Sequence, residues 1–140
     1  MTGAPEPPPM LQARDVEKRY DAVTALDGVS LEVARGACCA LVGESGSGKT
    51  TLLRTFNAMV RPDAGVVSVS GHDVSRADPV ALRRSVGYVQ QEGGLLPHWS
   101  VLRNASLVPR LNGRDDPAER ARAALDKVGL PPSDFAERWP

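Results

Sequence analysis

Residues 43–51 read GESGSGKTT; they follow an apolar run at residues 37–42 and lead directly into a helix-like segment. This order of strand, glycine-rich loop and helix is typical of a phosphate-binding P-loop. The loop template fixes Gly, Gly, Lys and Ser or Thr at set spacing, and the chain supplies Gly43, Gly48, Lys49 and Thr50. The sequence therefore predicts a P-loop; the alternative is a Gly/Ser-rich turn that binds nothing.

The residue types in this loop explain how it would hold a nucleotide. Small residues let the backbone turn tightly, so that successive N–H groups converge on phosphate oxygens. We expect Lys49 to reach the β and γ phosphates and the Thr50 hydroxyl to enter the coordination shell of Mg²⁺. The predicted nucleotide-binding residues of the loop are Gly43, Glu44, Ser45, Gly46, Ser47, Gly48, Lys49, Thr50 and Thr51.

The composition is that of a globular chain. Seventeen basic and 17 acidic residues give zero formal net charge, so the broad positive field of a nucleic-acid binder is not expected. Cys38 and Cys39 are neighbours in the predicted strand before the loop, where we expect small buried hydrophobes rather than a disulfide. No apolar run approaches the ~20 residues that cross a bilayer. The sequence predicts a cytosolic chain that reaches a membrane only through a partner.

Alternating apolar and polar residues predict two antiparallel strands before the loop, at residues 11–20 and 30–33, with a loop around Asp27 and Gly28 between them. The run at residues 37–42 is expected to be a central strand. Further strands are predicted at residues 66–70 and 85–90, and residues 1–9, rich in proline, are expected to form a disordered tail.

Helix-start and helix-stop signals predict the remaining elements. Asp78 followed by proline predicts a helix over residues 79–84. Ser100 is predicted to cap a helix that Pro109 stops. Asp116, with Glu119 three residues later, predicts a capping box at the start of an amphipathic helix that ends at Gly129.

Several separate stretches resemble the ATP-binding cassette of ABC transporters, and the resemblance covers nearly everything from residue 11 onward. The loop has the narrower ABC form, with two threonines after the lysine. The upstream pattern VEKRYDAVTALDGVSLEV places Tyr20 where the family stacks an aromatic ring on adenine. GYVQQEGGLLPHWSVLRN resembles the family's Q-loop, which implies that Gln91 meets Mg²⁺ and senses the nucleotide and that His98 is structural.

The resemblance implies an α/β fold, a P-loop NTPase of the ABC type with an N-terminal antiparallel β-subdomain and the start of a helical subdomain, incomplete at its C-terminus. The implied domain is residues 10–140, with the core and P-loop in residues 10–92 and the end of the Q-loop and the helical start in residues 93–140. The family's LSGGQ signature, its aspartate and glutamate for Mg²⁺ and water, and its switch histidine would follow FAERWP and do not occur in these 140 residues. Hydrolysis by this chain alone is therefore not predicted. The strand expected at residues 37–42 would also lack the partner strands that the family supplies later in its sequence, which predicts poor solubility.

The function implied is that of the ATP-binding subunit of an importer that couples MgATP binding and hydrolysis to solute transport. Its partners would be transmembrane permease subunits, a second ATP-binding subunit in a dimer and, indirectly, a solute-binding protein, with no nucleic acid; it would sit on the inner face of the membrane. The Gln91 segment is similar to those of osmoprotectant (glycine betaine and choline) importers and also to those of polar amino-acid importers. The alternatives are a truncated, non-catalytic nucleotide-binding cassette and another P-loop enzyme such as a small kinase.

Overall fold

The computed structural model describes residues 8–91 and 93–140. All but the last two residues of the predicted tail, residues 1–9, lie outside this part of the chain. The chain divides into two compact units, the first ending at Val86 and the second running from Gly87 to Pro140. The domain boundary proposed after residue 92 stays a prediction.

The first unit contains a four-stranded antiparallel sheet. Its strands are β1 (Leu11–Tyr20), β2 (Val23–Val33), β3 (Ala64–Val69) and the short β4 (His72–Asp73), in the order β2-β1-β3-β4. β1 pairs with β2 on one side and with β3 on the other, and β3 pairs with β4. The antiparallel β-subdomain expected before the P-loop is confirmed, and β3 extends it with a strand from after the loop.

The loop predicted around Asp27 and Gly28 is wrong, because β2 runs through both residues. Val16 of β1 pairs with Val29, whereas Lys18, two residues further, pairs with Leu26, three residues back along β2. The extra residue is absorbed as a β-bulge, for which Gly28 adopts a φ of 63°. The turn signal in the sequence thus marks a bulge inside a long strand.

The core of the first unit lies between the sheet and helix α1 (Lys49–Phe56). Leu52 and Phe56 of α1 are 5% and 4% exposed and belong to the same apolar cluster as the sheet residues. The sheet side of this cluster, together with the residue that follows β4, is formed by Ala13, Val16, Leu26, Val67, Val69 and Val74. Because each buried methylene contributes about 0.8 kcal/mol, this cluster fixes α1 and the loop before it on the sheet.

Two predicted strands are wrong. Residues 37–42 and residues 85–90 form no ladder with any strand of the described residues. Val42 is 92% exposed and Val89 is 96% exposed. An apolar run becomes a strand only when a neighbouring strand accepts hydrogen bonds from its N–H groups and donates to its C=O groups. Neither run has such a neighbour in the described residues. Residues Cys38 and Cys39 are consequently exposed free thiols, not the buried side chains expected.

Helix α2 (Pro79–Ser85) closes the first unit as the sequence predicts. The Asp78 carboxylate accepts hydrogen bonds from the backbone N–H groups of Val80, at 3.0 Å, and Ala81, at 3.4 Å. A 3-10 turn, Val74–Arg76, precedes it and was not predicted. Its cap is Asp73, which accepts from the N–H of Ser75 at 2.8 Å.

The second unit is helical, with α3 (Val101–Ala105), α4 (Leu107–Leu111), α5 (Pro117–Lys127) and α6 (Pro132–Phe135). Ser100 caps α3, as expected. Pro109 does not stop the helical path, because it lies in the first turn of α4, where its missing N–H has no helical partner to lose. The predicted capping box is also wrong, since Asp116 is left-handed, with a φ of 50°, and makes no side-chain cap.

The described helices are all short. Throughout residues 8–91 and 93–140, none combines the length and the apolar character that crossing a bilayer requires.

Candidate functional site

Gly48, the second fixed glycine of the loop, lies against the backbone of β2. A Cβ atom added to Gly48 would stand 2.2 Å from the carbonyl oxygen of Ala25, and its φ is +86°. A real Cβ atom does not approach oxygen so closely, and left-handed backbone is costly for other residues. Gly48 therefore allows the loop to lie directly on the sheet.

Lys49 folds back over the loop that precedes it. Its Nζ donates hydrogen bonds to the carbonyl oxygens of Gly43, at 2.9 Å, and Glu44, at 2.5 Å. It also donates to the Oγ of Ser47 at 3.0 Å. These oxygens hold a positive charge at the centre of the loop, which is the position at which a bound phosphate would meet it.

Helix α1 begins at the end of the loop with its N-terminal N–H groups open. Gly48 is its N-cap; within the described chain no side chain caps these groups, and no acidic residue lies in the first turn. The first N–H groups of a helix have no partner inside the helix, and the macrodipole makes this end positive. Thr50, on the same turn, is exposed. Together with the Lys49 charge, this end of α1 offers an anion several donors.

A cavity of about 430 Å³ lies beside the loop. Its apolar lining comes from Leu26 and Val29 of β2, Leu52 of α1 and residues 40–42. Four loop residues complete the lining: Gly43, Ser47, Gly48 and Lys49. Gly46, at the tip of the loop, has a φ of +84° and open space around it. Open space is therefore present next to Ser47, Gly48 and Lys49 of the loop.

Tyr20 lies in the same unit as the loop, at the end of β1, and is 47% exposed. It pairs with Val23, the first residue of β2. Ala25, which touches Gly48, follows only two residues later, a distance of about 7 Å along a strand. The structure thus brings the β1–β2 hairpin end and the loop to neighbouring positions.

Two charged residues beside Tyr20 were missed by the sequence reasoning. The Lys18 Nζ lies 5.4 Å from the centre of the Tyr20 ring and 2.8 Å from a carboxylate oxygen of Asp63. The hydrogen bond from Lys18, and then that from the N–H of Arg19, lower the pKa of Asp63 below its ordinary value. In the sequence Asp63 belongs to an ordinary turn, RPDAG, and no local signal pairs it with a residue 45 positions earlier.

Gln91 belongs to the second unit and is exposed. The structure therefore brings Tyr20 and residues 43–51 together in one unit, and the roles proposed for Gln91 toward nucleotide and metal stay predictions. Within the described residues, no group of three or more His, Cys, Asp or Glu side chains is placed so that it could hold a metal ion.

The segment after Gln91 is fastened to α3 by one amide side chain. The Oδ1 of Asn104 accepts the N–H of Leu96 at 2.8 Å, and its Nδ2 donates to the carbonyl oxygens of Leu96, Trp99 and Ser100 at 3.0–3.1 Å. His98 is exposed and meets the Trp99 ring edge-on, with centroids 6.2 Å apart. No local sequence signal marks Asn104 as the residue that organises this segment.

The fold and the loop define the class of P-loop proteins. The model of the ABC transporter family matches residues 26–138, most of the chain. The chain belongs to the ABC transporter family.

Curated relatives are similar over nearly the whole of this chain. The osmoprotectant import ATP-binding protein OsmV of Salmonella typhimurium is 38% identical over 127 residues, which are 89% of this chain and 33% of that protein. The choline transport ATP-binding protein OpuBA of Bacillus subtilis is 38% identical over 94% of this chain and 35% of that protein. The methionine import ATP-binding protein MetN of Mesorhizobium japonicum is 38% identical over 90% of this chain and 35% of that protein. The chain spans about a third of the length of these relatives.

Solved structures of ATP-binding cassettes have the same fold. One is the dimeric, post-hydrolysis state of the cassette MJ0796 bound to ADP and Pi, with a TM-score of 0.83 at 26% identity over 94% of this chain and 62% of that one. Another, an ATP-binding subunit of an ABC transporter, has a TM-score of 0.79 at 23% identity, covering 93% and 54%. The ABC-type fold predicted from the sequence is confirmed.

Proposed function

We propose that this chain forms the nucleotide-binding part of the ATP-binding subunit of an ABC importer, with MgATP as its ligand. The observation that carries the proposal is the loop itself, in which the Lys49 ammonium lies among three loop oxygens next to the uncapped start of α1. Triphosphate oxygens suit this set, because charge-assisted bonds from Lys49 and backbone N–H groups add to the helix dipole.

In this proposal residues outside the phosphate cradle hold the rest of the ligand. The Thr50 hydroxyl, exposed on the first turn of α1, is a hard oxygen ligand for Mg²⁺, and Gln91 supplies an amide oxygen from the second unit. Tyr20 offers a ring face for adenine. The bound metal would offset the negative charge of the phosphates, while this chain's residues bind and orient them.

The assembly proposed is a dimer of ATP-binding subunits on membrane permease subunits, at the cytoplasmic face of the membrane, with a solute-binding protein as an indirect partner. Family membership and the dimeric state of the MJ0796 structure support it. Hydrolysis by this chain alone is not part of the proposal, because the family's signature and catalytic acidic residues do not occur in these 140 residues.

The solute proposed is an osmoprotectant such as glycine betaine or choline. The names of the OsmV and OpuBA relatives support this choice, and that of MetN keeps an amino acid as the second possibility. Uptake of labelled choline, glycine betaine and methionine by cells with and without the gene distinguishes the two: loss of methionine uptake alone would replace the osmoprotectant proposal.

Lys49→Ala tests nucleotide binding in the full-length protein. Loss of charge-assisted hydrogen bonds predicts at least a tenfold rise in the Kd for MgATP, measured by calorimetry. The matched control is Lys127→Ala, which removes an exposed cation from α5, and it should leave the Kd unchanged. Unchanged affinity in a folded Lys49→Ala protein would refute the assignment of the P-loop, whereas binding without turnover in the wild type would restrict the function to nucleotide binding.

A further inference from the structure

Lys18 lies over the Tyr20 ring and is ion-paired with Asp63, and the phosphate loop uses neither charged residue. We propose that Lys18 and Asp63 are positioning residues that orient the Tyr20 ring for stacking on a purine base. This inference rests on the proposed function, since it concerns how the same site recognises the base of its nucleotide.

Asp63 fastens the end of β1 at successive positions. One carboxylate oxygen accepts from the Lys18 Nζ and the other from the N–H of Arg19, each at 2.8 Å. The N–H of Asp63 itself donates to the carbonyl oxygen of Glu17 at 2.9 Å. The backbone leading to Tyr20 is therefore tied to the turn that follows α1, and α1 in turn begins at the phosphate loop.

Lys18 transmits this restraint to the ring. Its side chain is only 17% exposed, and its ammonium lies 5.4 Å from the centre of the Tyr20 ring, within the range of a cation–π contact. Asp63, through its ion pair, keeps the ammonium there. A ring with a cation over one face offers its other face to a ligand, and Tyr20 keeps 47% of its surface open.

This arrangement favours a base because it reduces the cost of ordering the ring. A tyrosine at an exposed strand end samples several rotamers, and a ligand that stacks on it must select one of them. The Lys18 contact limits that freedom beforehand. Stacking needs only the π face of a purine, so the pair should contribute to the affinity for the base and not to the affinity for the phosphates.

Comparison of ATP with inorganic triphosphate separates the two contributions in the full-length protein. Lys18→Met keeps a long apolar stem but removes the charge. We expect it to weaken MgATP binding about two- to fivefold, the size of an exposed cation–π contact, and to leave magnesium triphosphate binding unchanged. Asp63→Asn should act in the same direction. Lys18→Arg, which keeps a cation over the ring, should bind MgATP as the wild type does.

A double-mutant cycle with Tyr20→Leu tests whether the pair acts through the ring. In the Tyr20→Leu background Lys18→Met should cause no further loss. Arg76→Met is the matched control, because it removes the cation of another surface ion pair of the same unit, with Asp73, and it should leave ATP binding unchanged. Thermal unfolding of each variant shows that it is folded.

Two results would overturn the inference and leave the proposed function standing. In the first, Lys18→Met weakens the binding of ATP and of triphosphate equally. In the second, Lys18→Met causes the same loss of ATP affinity in the Tyr20→Leu background as in the wild type. A wild-type protein that binds neither ligand would overturn both. If Lys18→Met changes neither the affinity for ATP nor its ratio to the affinity for triphosphate, Lys18 does not position the ring.

Discussion

Strand β1 and residues 37–42 are two segments of the same unit that the sequence predicts as strands, and only β1 forms one. β1 pairs on both edges and buries Ala13 and Val16 completely. Residues 37–42 pair with no strand of the described chain, and Val42 stays 92% exposed. The pattern of apolar residues predicts a strand for both stretches. The difference shows that a strand is defined by its neighbours, whereas composition indicates only that a segment is suited to pairing.

The largest effect is expected where the paired sheet meets the loop. Gly48→Ala would place its Cβ 2.2 Å from the Ala25 oxygen, whereas Gly46→Ala, at a similar φ of +84°, meets nothing within 4 Å. We expect Gly48→Ala to lower the free energy of unfolding by about 3 kcal/mol or more and Gly46→Ala by about 1–2 kcal/mol, the cost of the left-handed backbone alone. Urea unfolding checks this; equal losses would mean that the loop does not rest on β2.

The same substitution in the two stretches tests the comparison directly. Val16→Ala removes buried methyl groups and should cost about 2–3 kcal/mol, including the cavity it leaves. Val42→Ala removes exposed ones and should change stability by no more than about 0.5 kcal/mol. A comparable loss at Val42 in urea unfolding would show that residues 37–42 are packed in solution.

An unpaired segment of the second unit sharpens the comparison, because it is held by a side chain rather than by a ladder. Asn104→Ala would leave the N–H of Leu96 without its present partner, whereas the Leu96 carbonyl would keep the N–H of Trp99, and the substitution should cost about 1–3 kcal/mol. Hydrogen exchange at the Leu96 amide should become faster. Ser133→Ala, which removes an exposed side-chain hydrogen bond to Asp134 in α6, is the control on the same unit, and exchange at Leu96 should be unaffected by it.

The smallest effect concerns the acid sensitivity of the β1 end. Because the hydrogen bond from Lys18 lowers the pKa of Asp63 in the folded state, its contribution to stability is present above the unfolded value of about 3.9. That contribution is lost as the pH falls through the lower folded pKa. The free energy of unfolding of the wild type should therefore fall more than that of Asp63→Asn between about pH 4 and pH 2. The same fall in both proteins would contradict this prediction.

Local signals explain what the sequence predicted well. The fixed positions of the loop, the strand β1 and the cap at Asp78 each depend on residues only a few positions apart. The start of a helix directly after the glycine-rich loop was therefore predictable. Local signals still failed at Asp116, where a left-handed backbone turned the expected cap away from the helix.

Long-range pairing explains what the sequence did not predict. Lys18 and Asp63 are 45 residues apart, and the contact of Gly48 with Ala25 joins a loop to a strand 23 positions before it. Nothing in the immediate surroundings of these residues announces a partner. The absence of a ladder at residues 37–42 has the same cause, because pairing depends on strands elsewhere in the fold.

The exposed thiols of Cys38 and Cys39 lie within the unpaired stretch, five and four positions before Gly43. If this stretch pairs as a strand, Cys38 and Cys39 point to opposite faces of the sheet, and the thiol on the face that packs against the core is shielded. Alkylation by a maleimide is fast for an accessible thiol and slow for a shielded one. The alkylation rates of Cys38 and Cys39 therefore report whether the stretch before the loop is paired in a sheet.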